Sequence, residues 1–101
     1  MTPEGKVKHA VRKLLDARAI WYYMPVQTGY GVTGIPDFVC CWHGAFLDIE
    51  CKAPGRRTSV TPLQQRCLEQ IREHGGYAAV VTSAAELETM LDLARSMQCP
   101  T

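Results

Sequence analysis

The chain of 101 residues lacks the features that define membrane, secreted and repetitive proteins. No apolar run approaches the ~18 residues that a transmembrane helix needs. The N-terminus has neither the apolar stretch nor the small-residue cleavage site of a secretory signal. Five cysteines without framework spacing indicate a reduced, intracellular setting and not a disulfide scaffold. We therefore expect a protein that is not secreted and has no membrane partner.

Neither sign of charge predominates, because the net charge is only +1. Any affinity for a polyanion must therefore come from local clusters of basic residues and not from the global field. Hydrophobic residues make up 47% and charged residues 21% of the chain, as in ordinary globular proteins. The length and the absence of repeats or low-complexity segments predict a single domain over residues 1–101.

Capping residues and apolar periodicity divide the chain into seven predicted elements. The segment Thr2-Pro3-Glu4 is typical of a helix start, with an N-cap, a proline and an acid in the first turn. Thr61 with Gln64, and Ser83 with Glu86, have the spacing of capping boxes. The predicted helices cover residues 3–17, 62–74 and 84–97, and the predicted strands cover residues 19–24, 37–42, 45–52 and 77–82.

This order, α-β-β-β-α-β-α, predicts an α/β fold with a mixed sheet. A glycine-rich loop over 27–34 precedes the second strand, and a tight turn at His43-Gly44 makes a hairpin of the second and third. The helix between the third and fourth strands creates a βαβ unit, so these two strands should be parallel with a right-handed crossover. Alternation along the third strand places Asp48, Glu50 and Lys52 on one face.

Asp37, Glu50 and Lys52 are the residues with the clearest chemical potential. Asp37 begins the second strand after Pro36, and the hairpin should bring it close to Glu50. Converging carboxylates can hold a hard divalent cation, and a neighbouring lysine can stabilise an anionic transition state. Singly, each residue is explained equally well by a solvated strand face or a turn. Together they favour a site for phosphodiester cleavage.

Cys40, Cys41 and His43 raise the alternative of a zinc site. Their spacing is not that of zinc ligands, and no second ligand pair is present. Adjacent strand residues also point to opposite faces. We therefore predict buried or half-buried thiols here.

Three motifs, in this order and spacing, resemble the PD-(D/E)XK nuclease superfamily and, within it, the VRR-NUC type. They are Gly34-Ile35-Pro36-Asp37, Ile49-Glu50-Cys51-Lys52 and Thr61-Pro62-Leu63-Gln64. The resemblance covers most of the chain and implies a restriction-endonuclease-like core, with a mixed central β-sheet flanked by helices. The chain departs from the family at Thr33, where a basic residue is frequent, and this puts local phosphate contacts in doubt.

The resemblance implies a site for Mg²⁺ or Mn²⁺ with Asp37, Glu50 and the backbone carbonyl of Cys51 as ligands. Lys52 would orient or help deprotonate a metal-bound water, or stabilise charge on the phosphate. Family pattern also places Gln64 near the site, although helix capping alone explains this residue. Glu4 matches an acid on the first helix of similar junction resolvases, and its alternative is a first-turn carboxylate favoured by the helix dipole.

Basic and aromatic residues outside the motifs suggest further contacts. Arg56 and Arg57 lie four and five residues after Lys52, and we predict that they contact DNA phosphates, which gives affinity without sequence readout. Lys6, Arg12 and Lys13 of the first helix are interpreted as solvated surface. Tyr30 is most simply an exposed loop residue, with base stacking as the alternative. The aromatic run 21–23 is assigned to core and sheet edge, with pairing to a second subunit as the alternative.

The resemblance implies metal-dependent endonucleolytic cleavage of branched DNA, as in stand-alone viral Holliday-junction resolvases. Symmetric cutting of two strands requires two active sites, so a homodimer is expected. A virus or prophage origin implies work in the cytoplasm or nucleoid of a bacterial host cell. One alternative is a nuclease for flaps, nicks or single strands. Another is a catalytically silent DNA-binding module, against which the joint presence of Asp37, Glu50 and Lys52 argues.

Overall fold

A computed structural model describes residues 1–26 and 34–98. Its elements follow the predicted order and confirm the α/β class. They are α1 (Pro3–Ala17), β1 (Trp21–Tyr23), β2 (Phe38–Trp42), β3 (Ala45–Cys51), α2 (Pro62–Glu73), β4 (Tyr77–Val81) and α3 (Ala84–Gln98). The predictions for Tyr30 and Thr33 lie outside the described residues. No helix in the described parts of the chain is both long and apolar enough to cross a membrane.

The four strands form one mixed sheet in the order β1-β2-β3-β4. The first two pairings are antiparallel, and β3 pairs with β4 in parallel, as the βαβ unit predicted. The hairpin between β2 and β3 turns at His43 and Gly44, whose φ angles of 49° and 78° are both positive. This is the two-residue geometry that matches the twist of an antiparallel pair.

Helices α1 and α3 cover one face of the sheet and enclose the main hydrophobic core. Val7, Val11 and Leu15 of α1 meet Leu87 and Leu91 of α3 in this layer. The strands contribute a further set of buried side chains: Phe38, Cys40, Trp42, Leu47, Ile49, Cys51, Ala79 and Val81. Helix spacing in α1 and strand alternation in β3 therefore direct apolar side chains into the same core.

Helix α2 covers part of the opposite face, over β3 and β4. Leu68 is the buried residue of α2, while Leu63 in its first turn is 56% exposed. The backbone of Leu63 lies against Gly34. With both faces covered, β3 is buried from Leu47 to Cys51.

The outer part of this second face, at β1 and beside the β2–β3 turn, is left open, although Val39 of β2 is buried. Trp21 pairs with Cys41, which in turn pairs with Phe46, so these side chains share one face. Trp21, Tyr23 and Phe46 are 63%, 50% and 51% exposed. Tyr22 points the other way and packs edge-on against Phe38. Tyr22 therefore packs against the core, while Trp21 and Tyr23 lie on the edge strand of the sheet, so the prediction of core and sheet edge is confirmed.

Candidate active site

The entry into β2 and the end of β3 bring Asp37 and Glu50 together. Phe38 pairs with Ile49, so the residues just beyond this pair lie side by side. Asp37 Oδ2 accepts a hydrogen bond of 2.8 Å from the backbone N–H of Cys51. The antiparallel hairpin thus produces the convergence of carboxylates that the sequence pattern suggested.

Glu50 and Lys52 lie on one strand face and form a buried ion pair. Lys52 Nζ is 3.4 Å from Glu50 Oε2, with only 10% and 4% of the two side chains exposed. Because α2 encloses this face, the alternative of a solvated strand surface does not apply. Ion pairs withdrawn from water gain little net stability, so stability alone is a poor explanation for these two residues.

Gln64 connects the start of α2 with this ion pair. Its Oε1 accepts hydrogen bonds from the Thr61 backbone N–H at 3.0 Å and from Lys52 Nζ at 3.1 Å. Its Nε2 donates to Glu50 Oε2 at 2.9 Å. Thr61 completes the capping box by accepting from the Gln64 backbone N–H. One side chain therefore caps the helix and holds both Glu50 and Lys52.

The second carboxylate oxygen of Glu50 differs from the first in its surroundings. Glu50 Oε1 is buried without a hydrogen bond to any described residue. The pKa of Glu50 is raised to about 7, chiefly by burial and also by the Asp37 carboxylate, while Lys52 acts in the opposite direction. An orphaned carboxylate oxygen in a buried site is unfavourable unless a cation or a proton neutralises it.

Lys8 of α1 joins the site, which the sequence analysis missed. Its Nζ lies 3.3 Å from Asp37 Oδ1 and 3.4 Å from Glu4 Oε2. Burial lowers the pKa of Lys8, but the Asp37 and Glu4 carboxylates outweigh burial, so the net pKa is raised above 10.5. The i,i+4 spacing of Glu4 and Lys8 was a visible signal of an ion pair. Nothing local indicated that Asp37 would join it.

Gly34 explains why the strand entry can approach α2. Its φ of +77° favours glycine, and an added Cβ would lie 2.7 Å from the carbonyl carbon of Leu63 and 2.9 Å from the Gln64 nitrogen. Both contacts are with backbone atoms, which cannot move aside easily. The glycine of the Gly-Ile-Pro-Asp motif thus lets Asp37 and Gln64 approach the same site.

The donors at this site suit a hard divalent cation. Asp37 and Glu50 offer carboxylate oxygens, of which Glu50 Oε1 is orphaned and Asp37 Oδ1 already faces a cationic group. Within residues 1–26 and 34–98, no three side chains of His, Cys, Asp or Glu are grouped to hold a metal ion. The predicted ligands are two carboxylates and the Cys51 carbonyl, so a third side chain of His, Cys, Asp or Glu is not required. This set of metal ligands stays a prediction.

The two cysteines of the considered zinc site point to opposite faces of β2. Cys40 is buried and Cys41 is exposed. Burial raises the pKa of Cys40 to about 12, and the Asp48 carboxylate adds to this effect. The thiol of Cys40 is therefore held in its neutral form and packs as a core side chain.

Arg56 and Arg57 have different surroundings. The Arg57 guanidinium donates a hydrogen bond of 2.8 Å to the Val80 carbonyl and pairs with Glu86. The Arg56 side chain is exposed. Glu86 also accepts from the Thr82 backbone N–H at 3.1 Å, one residue before the expected partner in the Ser83 capping box. Arg57 thus anchors the loop after β3, a role that its sequence position did not indicate.

Comparison with known families agrees with this geometry. The family model of the VRR-NUC domain matches residues 5–85, which include Asp37, Glu50, Lys52 and Gln64 and begin one residue after Glu4. Neither the curated proteins nor the solved structures yielded a match. A nuclease-type function in DNA processing, with DNA as the partner, follows from the matched domain. The chain therefore belongs to the VRR-NUC domain family.

Proposed function

We propose that the protein is a divalent-metal-dependent endodeoxyribonuclease with Asp37, Glu50 and Lys52 as its catalytic residues. The observation that carries this proposal is the buried Glu50–Lys52 pair beside Asp37, which Gln64 holds through hydrogen bonds to both partners. Such a cluster costs stability in a small domain. Its retention is explained if the charges perform chemistry on a phosphodiester.

Each residue of the site has a distinct proposed task. Asp37, Glu50 and the Cys51 carbonyl would hold Mg²⁺ or Mn²⁺, which polarises the scissile phosphate and lowers the pKa of a bound water. Lys52 supplies a fixed positive charge for the phosphate or orients the attacking water. Gln64 keeps Glu50 and Lys52 in place before the substrate arrives.

We further propose that the substrate is branched DNA, with a Holliday junction as the preferred form, and that two copies act together. Two copies provide the two active sites that symmetric cutting requires. The open sheet face, defined by Trp21, Tyr23, Cys41 and Phe46, supports this proposal because it exposes adjoining apolar side chains, as subunit interfaces do before assembly. A virus-type role in DNA repair and recombination inside a bacterial cell is part of the same proposal.

A DNA panel tests the activity and the substrate together. The protein is incubated with a four-way junction, a flap, a nicked duplex and a linear duplex, with Mg²⁺, Mn²⁺ or chelator. Paired symmetric cuts in the junction are expected, and cleavage confined to the flap would replace the resolvase proposal by the flap alternative. DNA binding without metal-dependent cleavage of any substrate would leave a silent binding module. Asp37→Asn and Lys52→Ala should abolish cutting and remain folded by circular dichroism.

Light scattering after size-exclusion chromatography tests the homodimer. The wild type should have the mass of two chains, and Trp21→Ser combined with Phe46→Ser should have the mass of one. Leu93→Ser is the matched control, since Leu93 is 62% exposed but lies on α3, away from the open sheet face. A monomeric wild type that still cuts the junction symmetrically would contradict the interface.

A further inference from the structure

The two lysines of the site are held very differently. Lys52 is 10% exposed. Its ammonium group donates a hydrogen bond to Gln64 and forms an ion pair with Glu50. Lys8 is 34% exposed and extends from a helix whose buried residues are Val7, Val11 and Leu15. The Lys8 ammonium can therefore leave the site without disturbing the core, whereas that of Lys52 cannot.

Both oxygens of the Asp37 carboxylate have a neighbour, and Lys8 lies beside one of them. Oδ2 is engaged by the Cys51 N–H at 2.8 Å. Oδ1 lies 3.3 Å from Lys8 Nζ, which also contacts Glu4. A divalent cation that binds Asp37 Oδ1 must therefore replace the Lys8 ammonium group beside this oxygen.

Lys8 balances part of the negative charge in the described site. Glu4, Asp37 and Glu50 contribute negative charges, and Lys52 pairs with Glu50. Without a metal, Lys8 is the cation that contacts both remaining carboxylates. Without the Lys8 ammonium group, the negative charges of Glu4 and Asp37 would repel each other.

We infer that Lys8 is an exchangeable counter-ion, which neutralises Asp37 and Glu4 in the metal-free protein and is displaced when a divalent cation binds. This inference rests on the proposed metal-dependent nuclease. It makes Lys8 a positioning residue that keeps the carboxylates in place and, at the same time, weakens metal binding. Removal of its charge should therefore tighten metal binding, whereas loss of a merely structural contact would weaken it.

The size of the effect follows from simple electrostatics. A unit positive charge a few ångströms from a divalent ion, in a water-like dielectric and with physiological screening, changes affinity by roughly five- to tenfold. The partial exposure of Lys8 and Glu4 justifies the water-like value. Lys8→Met keeps the length and apolar stem of the side chain and removes only the charge.

Calorimetric titration with Mn²⁺ alone tests the inference without any cleavage assay. Lys8→Met should bind Mn²⁺ about five- to tenfold more tightly than the wild type. Lys8→Arg, which keeps the charge, and Lys13→Met, which removes a charge from another exposed position of α1, should stay close to the wild type. Unchanged or weaker Mn²⁺ binding by folded Lys8→Met would overturn the inference, and Lys8→Gln gives a second neutral variant if Lys8→Met does not fold.

Thermal unfolding provides an independent measurement. In chelator, Lys8→Met should have a lower Tm than the wild type, and saturating Mn²⁺ should shrink or reverse this difference, because tighter binding stabilises more. If the wild type binds Mn²⁺ and cuts DNA while Lys8→Met has unchanged affinity, only the counter-ion role fails. If no variant binds a metal, both this inference and the proposed metal-dependent function fail.

Discussion

Gln64 donates a hydrogen bond of 2.9 Å to Glu50 while its other amide atom caps α2 at Thr61. We therefore predict that Gln64→Ala loses about 1 kcal/mol of stability from the cap and also about 10- to 100-fold in cleavage rate, because Glu50 and Lys52 lose their common restraint. Thr61→Ala removes the other half of the same capping box without touching Glu50. Denaturation should show destabilisation in both variants, larger in Gln64→Ala because the buried Glu50 and Lys52 also lose hydrogen bonds, and single-turnover cleavage should show a rate loss only in Gln64→Ala. Equal rate losses would mean that capping alone matters.

Gly34→Ala should disturb the site through the backbone of α2. The added Cβ would approach Leu63 and Gln64 backbone atoms closer than 3.0 Å at a φ of +77°, so α2 must shift at its first turn. Gly55→Ala is the matched control, because Gly55 has a φ of +82° and nothing within 4 Å of the added Cβ. Both variants carry the strain of the left-handed conformation, about 1 kcal/mol, and chemical denaturation should show a larger loss for Gly34→Ala. Cleavage should fall only in Gly34→Ala, and full activity there would contradict the importance of this approach.

The stability of the metal-free protein should fall as pH rises from about 4 to 7. Burial raises the pKa of Asp48 to about 6 and that of Glu50 to about 7, above the usual values near 4. The folded state therefore binds more protons than the unfolded state in this window, and the free energy of unfolding decreases with rising pH.

Asp48→Asn isolates one part of this pH dependence. Asp48 Oδ1 is buried without a hydrogen bond to any described residue, so its ionisation is unfavourable. The free energy of unfolding of the variant, relative to that of the wild type, should increase by on the order of 1–2 kcal/mol as the pH rises from 4 to 8. Urea denaturation in chelator at both pH values measures this gain. A stability difference that does not change with pH would show that Asp48 titrates normally.

We expect Arg56 to contact DNA and Arg57 to stabilise the fold. Arg57→Ala should lose about 1 kcal/mol of stability, since Arg57 bonds to Val80 and pairs with Glu86. Arg56→Ala should leave stability unchanged, lower DNA affinity and reduce the slope of affinity against salt by about 1. Fluorescence anisotropy over a salt series, with thermal unfolding alongside, distinguishes the two. An unaltered salt slope in Arg56→Ala would remove this residue from the DNA interface.

The element order was predictable because its signals are local. Thr2 and Thr61 act as N-caps, and Gly75, with a φ of +88°, follows the end of α2. These residues act within one turn of the chain, so their effect does not depend on the rest of the fold. Which residues of the aromatic run 21–23 are exposed was not predicted, because it depends on how the helices pack over the sheet.

The sequence by itself determined which chemical groups the site contains and the order in which they occur. Asp37, Glu50 and Lys52 were proposed from their residue types and spacing, and Gln64 was added by the resemblance to the family. The tertiary structure decided which charges face each other: Lys52 contacts Glu50, while Lys8 contacts Asp37 from a different helix. It also decided that Asp48 and Glu50 are buried and that their pKa values rise. The physical reason is that capping and alternation act between near neighbours in the chain, whereas Coulomb interactions and desolvation depend on distances between packed elements.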